Sequence, residues 1–339
     1  VHRLLLAFTL LLTHCAQPQH TLTGATMGTT YSVVLRAKDL SPGHADTLRE
    51  TLQAELDWLE SIFSTYRADS EISRLNNRYQ PNRPYPVSND MAEVLRIAVS
   101  VKAVTGGAFS PLVGAIVDYW GFGPGKAADQ GVKQPAPAAL GCESRAAFSL
   151  VTAKGSQNGA SLVITKDATP ACARHKPKLD LSAIAKGYAV DRLVLLLAKR
   201  GFSNYLVEIG GEVCVVSTQG KPWRIGIEDP LQGGAFAQVV MLENGCVATS
   251  GNGRQGRFAN GRLITHIVDP RTGLPLTGPR SSVSVIAATG ADADAWATGL
   301  YVLGSKEAIA LADAKGLGVL YLEEASGRLE RSASVAWPR

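Results

Sequence analysis

Apolar residues recur at Leu48, Leu52, Leu56, Leu59 and Phe63, which lays one stripe along a helix over 46–63. A second stripe predicts a helix over 90–104, with Asn89 as its cap and Gly106–Gly107 as its stop. Residues 27–36 (MGTTYSVVLR) alternate and are β-branched, so they read as a strand. Ser182 is placed to cap a helix over 183–199 that Gly201 ends. Short apolar runs broken by Gly and Asn then predict strands at 205–209, 213–217, 223–228, 237–242, 246–249, 263–268 and 282–288. Helices over 292–303 and 305–314 and a strand over 318–323 follow. Residues 124–178 are rich in Gly, Pro, Ala and Ser, with a weak strand near Ser161–Thr165, and read as a loop-rich insertion. A run of antiparallel strands with helices at each end is an α+β pattern and not a regular βαβ winding.

The first fifteen residues (VHRLLLAFTLLLTHC) put His2 and Arg3 ahead of an apolar run from Leu4 to Leu12, then Cys15 and a polar stretch. This is the layout of a bacterial lipoprotein signal, in which Cys15 is lipidated and opens the mature chain. His14 departs from it, because a small residue usually precedes the cysteine. A plain secretory signal is the other reading. Residues 1–20 are therefore set aside as signal and tether, and 21–339 as one domain. Export would put Cys142, Cys172, Cys214 and Cys246 in an oxidising compartment. Cys142 and Cys172 flank one irregular stretch and are the pair expected to bond. There is no CxxC, which weakens zinc and thioredoxin-type readings.

Composition narrows the classes. Hydrophobic residues are 45% of the 339, enough for a real core, so a disordered chain is excluded. The net charge of +5 has no Lys/Arg block behind it, which argues against a nucleic-acid partner.

Four segments could carry chemistry. In LDLSAIAKGYAVD (179–191) a short strand delivers Asp180 to a helix start, where free N–H groups and Lys186 could meet a phosphate; an ordinary capped helix would look the same. In DADAWATGLYVLG (292–304) Asp294 and Thr298 share a helix face, a spacing that can hold Mg²⁺ through oxygen. The bland alternative is that Asp292 and Asp294 only favour the helix N-terminus. In THIVDPRTG (265–273) His266 closes an apolar strand, where a histidine is either structural or an acid–base group. Gly251, Gly253 and Gly256 match GxGxxG in spacing, but a strand follows where a dinucleotide site needs a helix. The chain has no P-loop, HExxH or GxSxG motif.

Together with MGTTYSV (27–33), STYRADSEISRLN (64–76), GGAFSPLVGAIVDYWGFG (106–123), YLVEIGGEV (205–213) and VATSGN (247–252), these segments form an ordered set. The chain resembles the ApbE family, flavin transferases that move FMN from FAD onto a protein Thr or Ser. The resemblance runs from about Met27 to about Leu320. It implies a T-shaped α+β fold with an antiparallel sheet and flanking helices, FAD as substrate, bound Mg²⁺ (with Ca²⁺ or Mn²⁺ as alternatives) and a lipoprotein on the periplasmic side of the inner membrane. Carried over by motif, Met27, Tyr66, the turn Ala108–Phe109–Ser110, Asp180, Lys186 and the strand at Ile267–Val268 are expected to contact FAD. The Ala183 carbonyl, Asp294, the Ala297 carbonyl and Thr298 are expected to hold the metal. His266 and Asp180 are the expected catalytic residues. The expected protein partner is an acceptor with a Thr/Ser target, such as a membrane redox subunit. FAD pyrophosphatase activity and non-catalytic flavin binding are the competing readings. Trp296 and Gly299 depart from the family's usual residues in the metal helix.

Overall fold

The computed structural model describes residues 18–338 except 38–39, 125–141, 144–145, 153–159, 167, 173–175, 219, 253–255 and 260–261. The chain opens with the hairpin β1 (Gln19–Thr26) and β2 (Thr29–Arg36), then helices α1 (Pro42–Phe63) and α2 (Glu71–Arg78). Strand β3 (Tyr85–Val87), α3 (Asn89–Val104), the short α4 (Gly114–Tyr119), β4 (Ala147–Thr152) and β5 (Ala160–Thr165) follow. Helix α5 (Ala185–Lys199) leads to β6 (Asn204–Ile209), β7 (Glu212–Ser217), β8 (Trp223–Glu228), β9 (Phe236–Leu242) and β10 (Asn244–Gly251). Strands β11 (Gly256–Ala259), β12 (Arg262–Asp269), β13 (Leu274–Thr277) and β14 (Ser281–Ala287) precede α6 (Gly290–Leu303), α7 (Ser305–Lys315), β15 (Gly318–Ala325) and β16 (Arg328–Ala333).

The central sheet has eight strands in the order β1-β2-β6-β7-β10-β14-β15-β16, every pair antiparallel. Strand periodicity sends alternate side chains to opposite faces. Val319 and Tyr321 of β15 join the core under the helices, whereas Leu320 and Leu322 join a second core. The main core holds the α1 stripe (Leu48, Leu52, Leu56, Leu59) together with α5 and α6. The second core lies beneath the two-stranded ribbon β8–β9, whose Trp223, Ile225, Ile227 and Val240 cover Val215 and Val247 of the sheet. The expected α+β class therefore holds, as three layers: helices, sheet and ribbon.

Several boundaries differ from the sequence reading. Residues 1–20 do not all lie outside the fold: Gln19 and His20 pair with Arg36 and Leu35 in β1. Polar β1 is an edge strand, so it carries little apolar signal. Ser88, not Asn89, caps α3, its Oγ accepting from Met91 N. Ser182 does not cap α5, which starts at Ala185 behind Ile184 with no side-chain cap. Within 124–178 the described residues include two paired strands, β4 and β5, and a disulfide from Cys142 to Cys172. A second disulfide, Cys214–Cys246, joins β7 to β10, the two residues lying directly opposite in register.

Candidate functional site

Two helices meet backbone to backbone. A Cβ placed on Gly187 of α5 would lie 2.1 Å from the Gly290 carbonyl oxygen of α6, and one on Gly290 would lie 2.5 Å from the Gly187 oxygen. Side chains on both sides of this contact stitch the pair. Gly187 N–H, one of the first-turn donors of α5 that have no acceptor within the helix, donates to Asp294 Oδ2 at 3.0 Å. In return, Asp191 of α5 accepts from Gly290 N at 2.6 Å and Ala291 N at 2.9 Å, satisfying the free donors that open α6. Thr289 completes that start, accepting from Asp292 N at 3.2 Å while its hydroxyl donates to Asp292 Oδ2 at 2.7 Å. The Asp292 reading as a helix-start residue therefore holds, and Asp294 is doing something else.

Asp294 is only 3% exposed, and so is the side chain of Glu212 at the start of β7. Lys186 Nζ lies 2.5 Å from Glu212 Oε1. Burial pushes both carboxyl groups up towards their neutral forms, with Lys186 opposing, and the Asp294 carboxylate pushes Glu212 further in the same direction. Burial would lower the Lys186 ammonium, but Asp294 and Glu212 outweigh it and hold it above its ordinary value. Two buried carboxylates thus face one ammonium. The expectation of Lys186 as a spare cation for phosphate is modified: it is already paired.

This arrangement fits a bound divalent cation. The donor set is all oxygen, which suits Mg²⁺, Ca²⁺ or Mn²⁺. With both carboxyl groups ionised the local charge would be one negative in excess, which a cation would offset, and Glu212 Oε2 has no hydrogen-bond partner. Thr298 sits one turn beyond Asp294, its hydroxyl 3.0 Å from Ser250 Oγ of β10, and Ala297 is fully buried beside it.

The segment before α5 is pinned on both sides. Asn76 of α2 takes the Leu179 backbone at 2.8 Å for each of its two bonds, and Glu143 accepts from Lys178 N at 3.0 Å and Ala115 N at 3.2 Å. Asp180 N–H then donates to Pro111 O at 2.8 Å, which ties Asp180 to the Ala108–Ser110 turn. Asp180 Oδ1 accepts from Ser182 N at 2.8 Å. Ala108, Phe109 and Ser110 are all buried, so this turn offers a ligand mainly its backbone. Gly299 of α6 makes room for it, because a Cβ there would stand 3.1 Å from Phe109 Cβ.

The β1–β2 tip comes from another direction. Met27 and Gly28 both adopt positive φ (49° and 72°), the two-residue hairpin turn that fits sheet twist. Glu60 of α1 holds that tip by accepting from Met27 N and, at 3.1 Å, from Thr26 Oγ1. The tip lies beside the β6–β7 turn, where a Cβ on Gly210 would meet Thr29 Cγ2 at 2.8 Å, next to Glu212. Tyr66 is 72% exposed and its hydroxyl donates to Phe122 O at 3.4 Å. Phe122 packs in a small cluster of Ile116, Trp120 and Val268, so Tyr66 and β12 share a wall. Ile267 faces the main core and Val268 this cluster, which leaves their main chain as the available surface. His266 lies between Thr265 and Ile267, where the β12–β13 register shifts; Thr265 Oγ1 holds that irregular step by bonding both Ile267 O and Ile267 N. The strand continues past His266 to Asp269, whose carboxylate grips Arg271. Cys15 lies outside the described residues. Of the Gly251–Gly256 decoy, Gly251 ends β10 and Gly256 opens β11, so a strand stands where a dinucleotide site needs a helix; Gly253 lies outside the described residues.

Sequence reasoning assigned no role to Glu212, Asp191, Glu60, Asn76 or Glu143. Glu212 and Asp191 sat inside quoted motifs, and a carboxylate in an apolar stretch was the available signal. Asp191 also yields a test. Burial raises its pKa to about 6, against the two backbone N–H bonds. Between the unfolded value near 4 and about 6 the folded state binds more protons, so this group's effect on stability becomes less favourable as pH rises through that window. Asp191→Asn is expected to flatten that part of a stability–pH curve, by on the order of 1–3 kcal/mol. Chemical denaturation at pH 4.5 and 7.5 measures it; parallel curves for both proteins count against the assignment.

The comparisons with known proteins agree with this geometry. The sequence model of the ApbE family matches residues 27–321. A Haemophilus influenzae protein named FAD:protein FMN transferase is 36% identical over 318 residues, covering 92% of this chain and 89% of that protein. The solved structure of the flavin transferase ApbE from Vibrio cholerae superposes with a TM-score of 0.76 at 33% identity, covering 94% of this chain and 98% of the other. The apo flavinyl transferase ApbE of Pseudomonas stutzeri gives 0.77 at 29% identity, covering 94% and 95%. With a match of this length over the segments that build the site, the chain belongs to the ApbE family.

Proposed function

We propose that the protein is an FAD:protein FMN transferase that moves FMN from FAD to a Thr or Ser hydroxyl of an acceptor protein and releases AMP. The relatives named for flavin transfer support the class of reaction. The observation that carries the chemistry is the Asp294–Lys186–Glu212 group, two buried carboxyl groups set against one ammonium where α5 and α6 cross.

FAD joins FMN to AMP by a pyrophosphate. Asp294, Thr298 and the Ala183 and Ala297 carbonyls would hold Mg²⁺, which supplies Lewis-acid neutralisation of the phosphate oxygens. Met27, the Ala108–Ser110 turn, Asp180 and the Ile267–Val268 backbone would seat the flavin and nucleotide, and Tyr66 would lie against the outer ring. Lys186, held protonated beside Asp294 and Glu212, would offset part of their charge next to the phosphates and is not a free cation for the departing AMP. His266 takes the proton of the acceptor hydroxyl as its oxygen attacks the FMN-side phosphorus. One P–O bond forms to the acceptor and one breaks to AMP. The N-terminal sequence and the two disulfides support an exported enzyme anchored through Cys15 to the periplasmic face of the inner membrane, where a membrane redox subunit is a fitting acceptor.

The test is incubation with FAD and an acceptor bearing an exposed Thr/Ser target, with Mg²⁺ or with EDTA. Covalent flavin fluorescence on the acceptor and AMP in solution are expected only with Mg²⁺. AMP and free FMN without labelling would make the protein a pyrophosphatase, and intact FAD under both conditions would reduce it to a binding protein.

A further inference from the structure

The outer face of the β8–β9 ribbon carries Phe236, Val239 and Met241, which are 66%, 41% and 51% exposed. Edge positions facing water are ordinarily polar, and three large apolar side chains on one small sheet need an explanation. Phe236 and Val239 are three apart, a spacing that would put them on opposite faces of a regular strand. The register shift at Ile227/Glu228 brings Phe236 onto the outer face, where its ring lies over Gly226, 2.5 Å from where a Cβ would be. The basic residues Lys221 and Arg224 stand at one end of the ribbon, and Met241 pairs with Arg224. The acidic Glu228 and Asp229 stand at the other.

The basic end is where the chain's N-terminal segment arrives. Gln19, the first residue of β1, pairs with Arg36. Arg36 stacks 3.7 Å over the Trp223 ring and donates to Lys221 O at 3.0 Å. Only Ala16, Gln17 and Pro18 separate Gln19 from Cys15. Four residue steps span at most about 14 Å. A lipid on Cys15 would therefore bring Arg36, Lys221 and Arg224 to the headgroups, with the apolar face of the ribbon beside them.

We propose that the outer face of β8–β9 is a membrane-docking surface, with Phe236, Val239 and Met241 entering the interface of an anionic bilayer and Lys221 and Arg224 meeting its headgroups. This rests on the anchoring reading above. A three-residue tether alone leaves the body free to pivot about Cys15; contact through the ribbon fixes which side faces the lipid.

The experiment uses the full chain, lipidated, on vesicles of phosphatidylethanolamine and phosphatidylglycerol. Flotation reports anchoring, and hydroxyl-radical footprinting with mass spectrometry reports contact. Labelling of Phe236 and Met241, normalised to exposed Trp58 of α1, is expected to fall about threefold or more on vesicles compared with the detergent-solubilised chain. Flotation without that fall overturns the docking surface and leaves the anchor standing. Failure to float overturns both. Equal protection in detergent overturns lipid contact in favour of a second copy of the chain.

Discussion

Asp294→Asn is expected to lower flavin transfer by a hundredfold or more, on the order of the loss of one charged transition-state contact, and to leave the folded protein as stable as before or more so. The two effects have one cause. The carboxylate is buried, and desolvation pushes its pKa up, so its charged form costs folding energy when no cation offsets it. The amide keeps an oxygen for Gly187 N–H but surrenders the charge. Thermal denaturation without metal should give an unchanged or raised midpoint, and Mg²⁺ should stabilise the parent but not the variant. A variant that melts early and recovers activity with excess Mg²⁺ would mean that Asp294 mainly joins α5 to α6.

His266→Ala is expected to cost on the order of 10²–10⁴ in transfer rate with FAD binding retained. The site makes this separable. Beside His266, Ile267 and Val268 bury their side chains in different clusters and leave their main chain as the available surface. The step in β12 is held by Thr265, whose hydroxyl bonds both Ile267 O and Ile267 N. Removing the imidazole should therefore leave the walls standing. FAD affinity by fluorescence quenching, set against the labelling rate, makes the comparison. A full rate with normal binding would remove His266 from the mechanism, and lost binding would make it a positioning group.

Long periodic elements were legible from the sequence. The α1 stripe is buried as the spacing requires, and α6 and α7 fall within two residues of their expected ends. The elements that went unseen are short or at an edge. β1 is polar on a sheet margin, and α2 is a two-turn helix with only Ile72 and Leu75 buried. At the site, motif and helix spacing put Asp294 and Thr298 on one face, but could not show what that face meets. The cap reading of Ser182 failed for an instructive reason. Asp180 already holds Ser182 N–H, and the helix begins two residues later than the extent read from the sequence. Glu212 was invisible as a site residue because its role comes from a partner 26 positions away, Lys186. Such pairs are products of topology, here the sheet order that sets β7 against α5.

The Gly187–Gly290 contact reverses a familiar rule of protein engineering. Replacing a helical glycine by alanine ordinarily stiffens the helix and gains up to about 1 kcal/mol. Here either alanine would drive a methyl group into a carbonyl oxygen. The added carbon would act as a wedge at the pivot of two levers, opening the helices and carrying Asp294 away from Gly187. Programmes that raise thermostability by removing helical glycines would thus select, at these two positions, against the spacing that lets Gly187 meet Asp294.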